Sequence, residues 1–469
     1  MRRLRSDGYA QKGMVFGLAK SNEINMTEGS ILKNVVRFSI PLMLSGILQL
    51  LYNAADIIVV GKFVGKEALG AVGATGSLIN LIVNFFASLA VGTSVLVARN
   101  FGARNYEKTQ SALHSSIALS LVGGVVAMIV GFLFSRQALE LMQTPPDIIE
   151  GSALYLKIYF LGAPAQMFYN FGAMAMRAVG DTKRPLEFLT ISGMVNVVLN
   201  LFLVIGFNMG VAGVAVATIV AQYVSAVLIL FCLMRMNGYC HLNIKAIKFH
   251  KDDILQILKI GVPASVQGVV FSFSNVLIQS SVNSFSSAAI VAGNSAASNI
   301  EGFVYTAMNS VHHAAVTIVG QNMGAKKYER ITKSMFCCIG FVTAIGVILG
   351  VIGLLIPRTL LQLYSSDKEV IDMGIIRLTI ILSTYYTCGI MDVIVGSTRG
   401  MGSSFVPMCA SILGVCGIRI LWIFTVFAKM HTLESLYLSY PLSWIMTAII
   451  QLICFFAYKR KVFKRLNLN

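Results

Sequence analysis

The sequence predicts an all-α polytopic membrane protein, with twelve transmembrane helices arranged as two parallel six-helix repeats around a central cavity. Three observations predict it. Hydrophobic residues make up 56% of the chain and charged residues 12%, with a mean hydropathy of +0.76, whereas soluble domains carry roughly a quarter charged residues. The block Asn100-Phe101-Gly102-Ala103-Arg104-Asn105-Tyr106-Glu107 returns 222 residues later as Asn322-Met323-Gly324-Ala325-Lys326-Lys327-Tyr328-Glu329. The same offset carries Pro41 onto Pro263, Asn53 onto Asn275, Arg177 onto Arg399, Gly180 onto Gly402 and Pro185 onto Pro407. Such a period leaves about 37 residues for each of six helices and its loop, and an even number of spans makes the two halves parallel.

Hydropathy places the spans of the first half near 35–60, 67–98, 110–134, 152–177, 186–206 and 211–234. Those of the second fall near 258–284, 288–320, 332–356, 374–398, 407–428 and 437–458. The expected units are an N-terminal tail (1–31), a six-helix bundle (32–234), a polar connecting loop (235–253), a second bundle (254–460) and a C-terminal tail (461–469). Pro41, Pro164 and Pro263 lie within or near the starts of spans, where they can bend a helix.

The net charge of +17 is distributed by side. Alternate loops and the tails collect 28 of the 37 Lys and Arg residues, which puts both termini in the cytoplasm of a cell-membrane protein by the positive-inside rule. Anionic lipid, rather than nucleic acid, is the counterpart of that basic face. Residues 1–37 hold no short apolar core followed by a cleavage site, so no secretory signal is expected, and Met1, Met14 and Met26 are alternative starts. The eight cysteines lie in or beside apolar spans without a Cys-x-x-Cys pair and read as small buried hydrophobes. No phosphate-cradling loop, metal-ligand cluster or soluble nucleotide-binding domain is evident, so uphill transport requires an ion gradient. A membrane enzyme would need clustered nucleophiles or acids, and the acids here are dispersed over different spans.

The run Gly320-Gln321-Asn322-Met323-Gly324-Ala325, its partner Ala98-Arg99-Asn100-Phe101-Gly102-Ala103, Arg399-Gly400-Met401-Gly402, and Tyr52-Asn53-Ala54-Ala55-Asp56 with Val60-Gly61 together resemble bacterial multidrug and toxic compound extrusion (MATE) transporters. The resemblance covers about Leu32 to Arg460. It implies an efflux antiporter exporting organic cations or other amphipathic compounds against protons or sodium; H+ is the expected ion, with Na+ as the alternative, and a monomer without cofactor is expected. Lipid-linked oligosaccharide flippases share the fold superfamily and form the second alternative; they call for a strongly cationic cavity, and few basic residues, notably Lys157 and Arg419, lie within the spans here. The motif residues are Asn100, Gly102, Arg177, Gly180, Gln321, Asn322, Gly324, Arg399 and Gly402.

Three acids within spans are the candidate ion-coupling groups: Asp56, Glu301 and Asp392. Ser45, Gln49, Tyr52 and Asp56 recur at i, i+4, i+7, i+11, a single polar stripe, and the resemblance implicates Asp56 and Tyr52 in coupling. Asn196 and Asn200 share a face of the fifth span; some MATE transporters have an aspartate at the second position, so Asn200 is a departure. Gln166 and Asn170 repeat the i, i+4 spacing in the fourth span, and Asn53, Asn275 and Gln279 extend the candidate cavity lining. Glu301, Tyr305, Met308 and His312 form another single-face stripe, from which His313 diverges by about 100° and is expected to pack elsewhere. Asp392 is expected either to bind an ion or to pair with Arg419 or Arg399. Sodium-coupled relatives have a glutamate in the seventh span, which is absent here.

Overall fold

The protein is described here by a computed structural model, covering residues 22–236 and 238–466. All regular elements among the described residues are helical, and apart from two short pieces, Ile244–Ala246 and Pro357–Gln362, they form twelve rods. In the first half these are α1 (Ile31–Phe63), α2 (Lys66–Leu89 continuing as Val91–Gly102), α3 (Tyr106–Leu141), α4 (Pro146–Leu161 and Ala163–Ala178), α5 (Lys183–Leu201, ending in a π turn) and α6 (Gly210–Arg235). The second half holds α7 (Lys251–Asn283), α8 (Ala288–Gly324), α9 (Tyr328–Leu355), α10 (Lys368–Thr384 and Tyr386–Gly400), α11 (Phe405–Met430) and α12 (Leu433–Arg465). Side chains of Ser30, Asn105, Ser287 and Thr432 cap α1, α3, α8 and α12 by accepting from first-turn N–H groups.

Among the described residues nine of these rods are long and apolar enough to cross a membrane, and α10 makes ten once its two segments, bent by 48°, are taken together. The other two, α4 and α8, depart from simple spans for visible reasons. Pro164 has no N–H to donate back and α4 breaks beside it at Gly162. α8 carries Asn294, Glu301, Asn309, His312 and His313, and it is packed on several sides, so its polarity faces protein and cavity rather than lipid.

The halves meet at one face through glycines. A Cβ on Gly102 would strike the carbonyl oxygen of Gln321, and a Cβ on Gly324 would strike that of Arg99. Because 99 and 321, like 102 and 324, are related by the 222 offset, this is one contact made twice about a pseudo-twofold axis. Arg104 and Lys326, the same pair of positions two residues on, both sit at left-handed φ (55° and 57°) and turn the chain out of α2 and α8. Gly180 and Gly402, at φ of 90° and 95°, make the equivalent turns after α4 and α10.

The cores cross this seam. Val35 and Phe38 near the start of α1 pack into the core of the second half, whereas Ile257 and Ile260, their repeat equivalents near the start of α7, pack into that of the first. The far ends return home: Val59 and Val60 to the first half, Ile278 and Val282 to the second. α1 and α7 therefore straddle the two bundles expected at 32–234 and 254–460. Pro41 and Pro263 lie inside these straddling helices.

Residues 22–30 are not a loose tail; the remainder of the expected tail, with Met1 and Met14, lies outside the described residues. They form a strap over the seam. Met26, fully buried, donates its N–H to Gln321 Oε1 at 2.8 Å, and Asn322 Nδ2 donates to the Met26 carbonyl at 3.3 Å. Ile24 N–H donates to the Val179 carbonyl at 3.1 Å, and Gln321 Nε2 to the neighbouring Ala178 carbonyl at 2.9 Å. The strap thus bonds to α8 on one side and to the end of α4 on the other. Cys240, in the loop between α6 and α7, is also fully buried; loss of solvation pushes its thiol up, so it stays protonated and packs as a small apolar group.

Gln321→Ala removes the side chain that holds both partners of the strap. It is expected to raise amide hydrogen exchange at residues 24–27 by about tenfold, in line with the loss of one or two net hydrogen bonds. Unchanged exchange there would show that the strap is held by other contacts.

Candidate functional site

A cavity of about 630 Å³ lies at the seam, within the range of sites for drug-sized ligands. Its wall belongs mostly to the second half: α7 supplies Gln267, Asn275 and Gln279, α8 supplies Glu301, Tyr305, His312 and His313, and α10 supplies Arg377, Asp392 and Arg399. Arg419 of α11 and Tyr440 and Trp444 of α12 complete it, and α2 adds Asn84 and Ser88 from the first half.

Glu301 is not a free carboxylate. Arg377 grips it through two bonds of 2.8 Å, from Nε and Nη2, and a third arm, Nη1, donates to Asn294 Oδ1 at 2.6 Å. Both charged side chains are buried at 7% exposure, and the guanidinium lies 5.4 Å from the ring centres of Tyr437 and Tyr440. A bidentate, aromatic-flanked pair of this kind neutralises two charges that would each be costly in a span. Glu301, expected from the sequence as an ion-coupling group, is in this conformation the partner of Arg377.

Asp392 has no ion pair within bonding distance among the described residues. Tyr305 turns its hydroxyl to the carboxylate, and Arg399 is the cation that bears on it. His312 donates from Nδ1 to the backbone carbonyl of Asp392 at 2.7 Å, which fixes the ring proton on that nitrogen. Arg399, named from sequence both as a motif residue and as a possible partner of Asp392, is a wall residue bonded to Gln267 Oε1 at 2.9 Å. His313 also reaches the wall, with its ring 5.4 Å from that of His312, because α8 meets the cavity over a broad face. Met308 does not: it is buried, its sulfur packed into space left by Gly346 and Gly389, which corrects its assignment to the lining.

The first-half candidates gather in a different place. Asn200 Nδ2 donates to Asp56 Oδ1, and Asn200 also bonds Asn196 Oδ1 at 3.4 Å, whose amide in turn reaches Thr218 Oγ1 at 3.4 Å. Asn200, the departure from the family pattern, is thus the direct partner of Asp56. Tyr52 fills the space left by Gly193 and donates to the Thr190 carbonyl at 3.3 Å. Gln166 and Asn170 border a separate pocket of about 10 Å³, room for one water, where Tyr159 bonds Gln166 at 3.3 Å. Gln49 and Asn53 are exposed on α1 and border neither of these two cavities. No group of three or more His, Cys, Asp or Glu suited to a metal ion occurs among the described residues.

The MatE family model matches residues 41–202 and again 263–425, the second match beginning 222 residues after the first. The chain belongs to the MatE family. It is a membrane transporter of the bacterial MATE type and not an enzyme. Among its relatives, the probable multidrug resistance protein YoeA of Bacillus subtilis is 25% identical over 446 residues, 93% of this chain and 95% of that protein. The multidrug export protein MepA of Staphylococcus aureus is 22% identical over 374 residues, 79% of this chain and 82% of that one. In fold, the crystal structure of MATE in complex with MaL6 superposes with a TM-score of 0.88 at 22% identity, covering 96% of this chain and all of that one.

Sequence reasoning missed Arg377 and the aromatic wall of α12. A signal was present: Tyr437, Tyr440 and Trp444 recur at i, i+3, i+7, and an arginine inside an expected span needs aromatic and acidic company. In this MATE transporter Glu301→Gln and Arg377→Met are each expected to lower the melting temperature strongly, since stranding one member of a buried pair costs about 3–5 kcal/mol. The double variant is expected to recover most of the loss. A double variant as unstable as the sum of the singles would show that the pair is not coupled.

Proposed function

We propose that this MATE transporter is a secondary active exporter of amphipathic small molecules, driven by protons and working by alternating access. The observation that carries the reading is the separation of a polar acid cluster, Asp56 with Asn200 and Asn196, from a large cavity at the seam, which is closed by glycine contacts at one face. A carrier needs such parts: a gate that seals one side, a chamber, and a charge whose state the ion changes. The straddling helices α1 and α7, each with an internal proline, are suited to bend as the halves rock. The basic, strapped face is read as cytoplasmic, which makes this conformation outward-facing in the plasma membrane. The multidrug descriptions of YoeA and MepA support the export reading.

Proton coupling is favoured over sodium by the chemistry at Asp56. An amide N–H occupies one carboxylate oxygen, where a sodium ion would want further oxygen ligands converging, while protonation needs a single site. Binding or losing that proton switches one half-buried charge, enough to bias the packing of α1 against α5. The wall sits poorly with the expected organic cations, because it presents Arg377, Arg399 and Arg419 against Glu301 and Asp392. The same three arginines remove the objection to a flippase that too few basic residues lie within the spans.

In proteoliposomes, Asp56→Asn is expected to reduce export driven by a pH gradient by about tenfold or more while leaving substrate counterflow in place. Export at the wild-type rate by a stably inserted Asp56→Asn protein overturns the coupling role. Full-rate export on a sodium gradient at clamped pH overturns the proton.

A further inference from the structure

The cavity wall holds one cation that the described residues do not neutralise. Glu301 engages Arg377 and Asp392 bears on Arg399, but Arg419, 4% exposed, has no carboxylate partner among the described residues; the charged group that bears on it is Arg377, another cation. Its Nε donates to Ser443 Oγ at 3.1 Å and Nη1 to Asn275 Oδ1 at 3.3 Å, while Nη2 has no hydrogen-bond partner among the described residues. The guanidinium is held over the Tyr440 ring, 4.2 Å from its centre, with Trp444 at 6.0 Å. It sits in the short α-helical turn Ile418–Trp422, between two π turns, Ile412–Gly417 and Ile423–Phe427. Such turns are frequent where a helix is built around a site rather than around its own ladder. At the equivalent positions of the first half stand Val197, Thr218 and Gln222 in place of Arg419, Tyr440 and Trp444, so the arrangement is peculiar to the second half.

We propose that the ligand of this cavity is an amphipathic monoanion whose carboxylate, or a group of like charge, lies against Nη2 of Arg419 with its apolar body along Tyr440 and Trp444. The transport consequence rests on the exporter reading above; the binding site does not. A buried arginine fixed by two neutral acceptors has its orientation set in advance and lacks only a counter-charge, which the ligand brings. One uncompensated positive charge matches one negative charge. A pyrophosphate would leave its second and third charges without partners, which distinguishes this site from one for lipid-linked sugars. The cavity volume suits a drug-sized body, and Phe271, Tyr385 and Met391 supply further apolar wall.

The test uses the full-length protein in lipid nanodiscs and energy transfer from tryptophan, of which the chain has two, Trp422 and Trp444. Three matched probes differ chiefly in charge: dansylglycine, dansylglycinamide and dansylaminoethyl-trimethylammonium. Dansylglycine is expected to bind about tenfold more tightly than the amide, and the cation more weakly than either. Arg419→Gln is expected to bring the three within about twofold of one another, and Arg419→Lys to keep part of the preference. A cation that binds the wild type as tightly as dansylglycine overturns the proposal, as does a preference that survives in Arg419→Gln; should that variant not fold, the wild-type charge series decides. Displacement of dansylglycine by farnesyl diphosphate at about a hundredfold lower concentration than by farnesoate overturns the monoanion in favour of a lipid diphosphate. Export is read separately: binding preference without export of any probe sinks the exporter reading and keeps this site, and export of the cation alone, with no dependence on Arg419, keeps the exporter reading and overturns the monoanion as its substrate.

Discussion

Two backbones touching where only glycine fits is the constraint on which the remaining arrangement depends. At Gly102 and Gly324 the ends of α2 and α8 approach so closely that each glycine rests on a carbonyl oxygen of the other helix. In lipid there is no hydrophobic force pressing helices together, and such close approach, with the dispersion contact it allows, is what associates them. The contact closes one face of the molecule, holds the strap of residues 22–30 above it and leaves the space between the halves to widen into the cavity away from it. A side chain at either position would wedge the halves apart.

Charge is arranged against this symmetric frame without obeying it. The first half carries an acid, Asp56, among amides and a hydroxyl; the second half carries Arg419 at a position where the first has Val197. Each half therefore holds a polar centre among the same set of helices, but of opposite sign. Duplication supplies two similar frames, and the cost of any charge in a span is met once per site by different partners. The remaining acids and bases of the wall cancel locally: Glu301 with Arg377 in full, Asp392 with Arg399 at longer range.

Much of the fold was legible in the sequence because its determinants are local or repeated. Spans show as apolar runs, and positions such as Gly102 and Gly324 must be glycine in both copies, so the 222 offset marks them. Asp56 was legible because an acid in a span demands an explanation. Its bond to Asn200 was not, since the amide read as the loss of an acid rather than as the hydrogen-bond donor that faces one. The pairing of Glu301 with Arg377 joins residues 76 apart in sequence across a helix bent at Tyr385 with no proline to announce it. The swapped ends of α1 and α7 were hidden for a similar reason: Val35, Phe38, Ile257 and Ile260 are plain apolar residues, and nothing in their identity states which half they enter.

That exchange of helix ends bears on how the molecule is made. The chain emerges from its N-terminus, and Val35 and Phe38 of α1 belong to a core built largely from α8 to α12. Until those helices are inserted, the start of α1 faces lipid or an incomplete neighbour, and the first half is a set of spans without its final packing. α7 arrives with its own start already matched to a waiting groove in the first half, so it is the element that can dock on insertion and draw the second half into register. The two halves are thus not modules that finish separately and then meet; the core of each is complete only when the start of a helix from the other is in place.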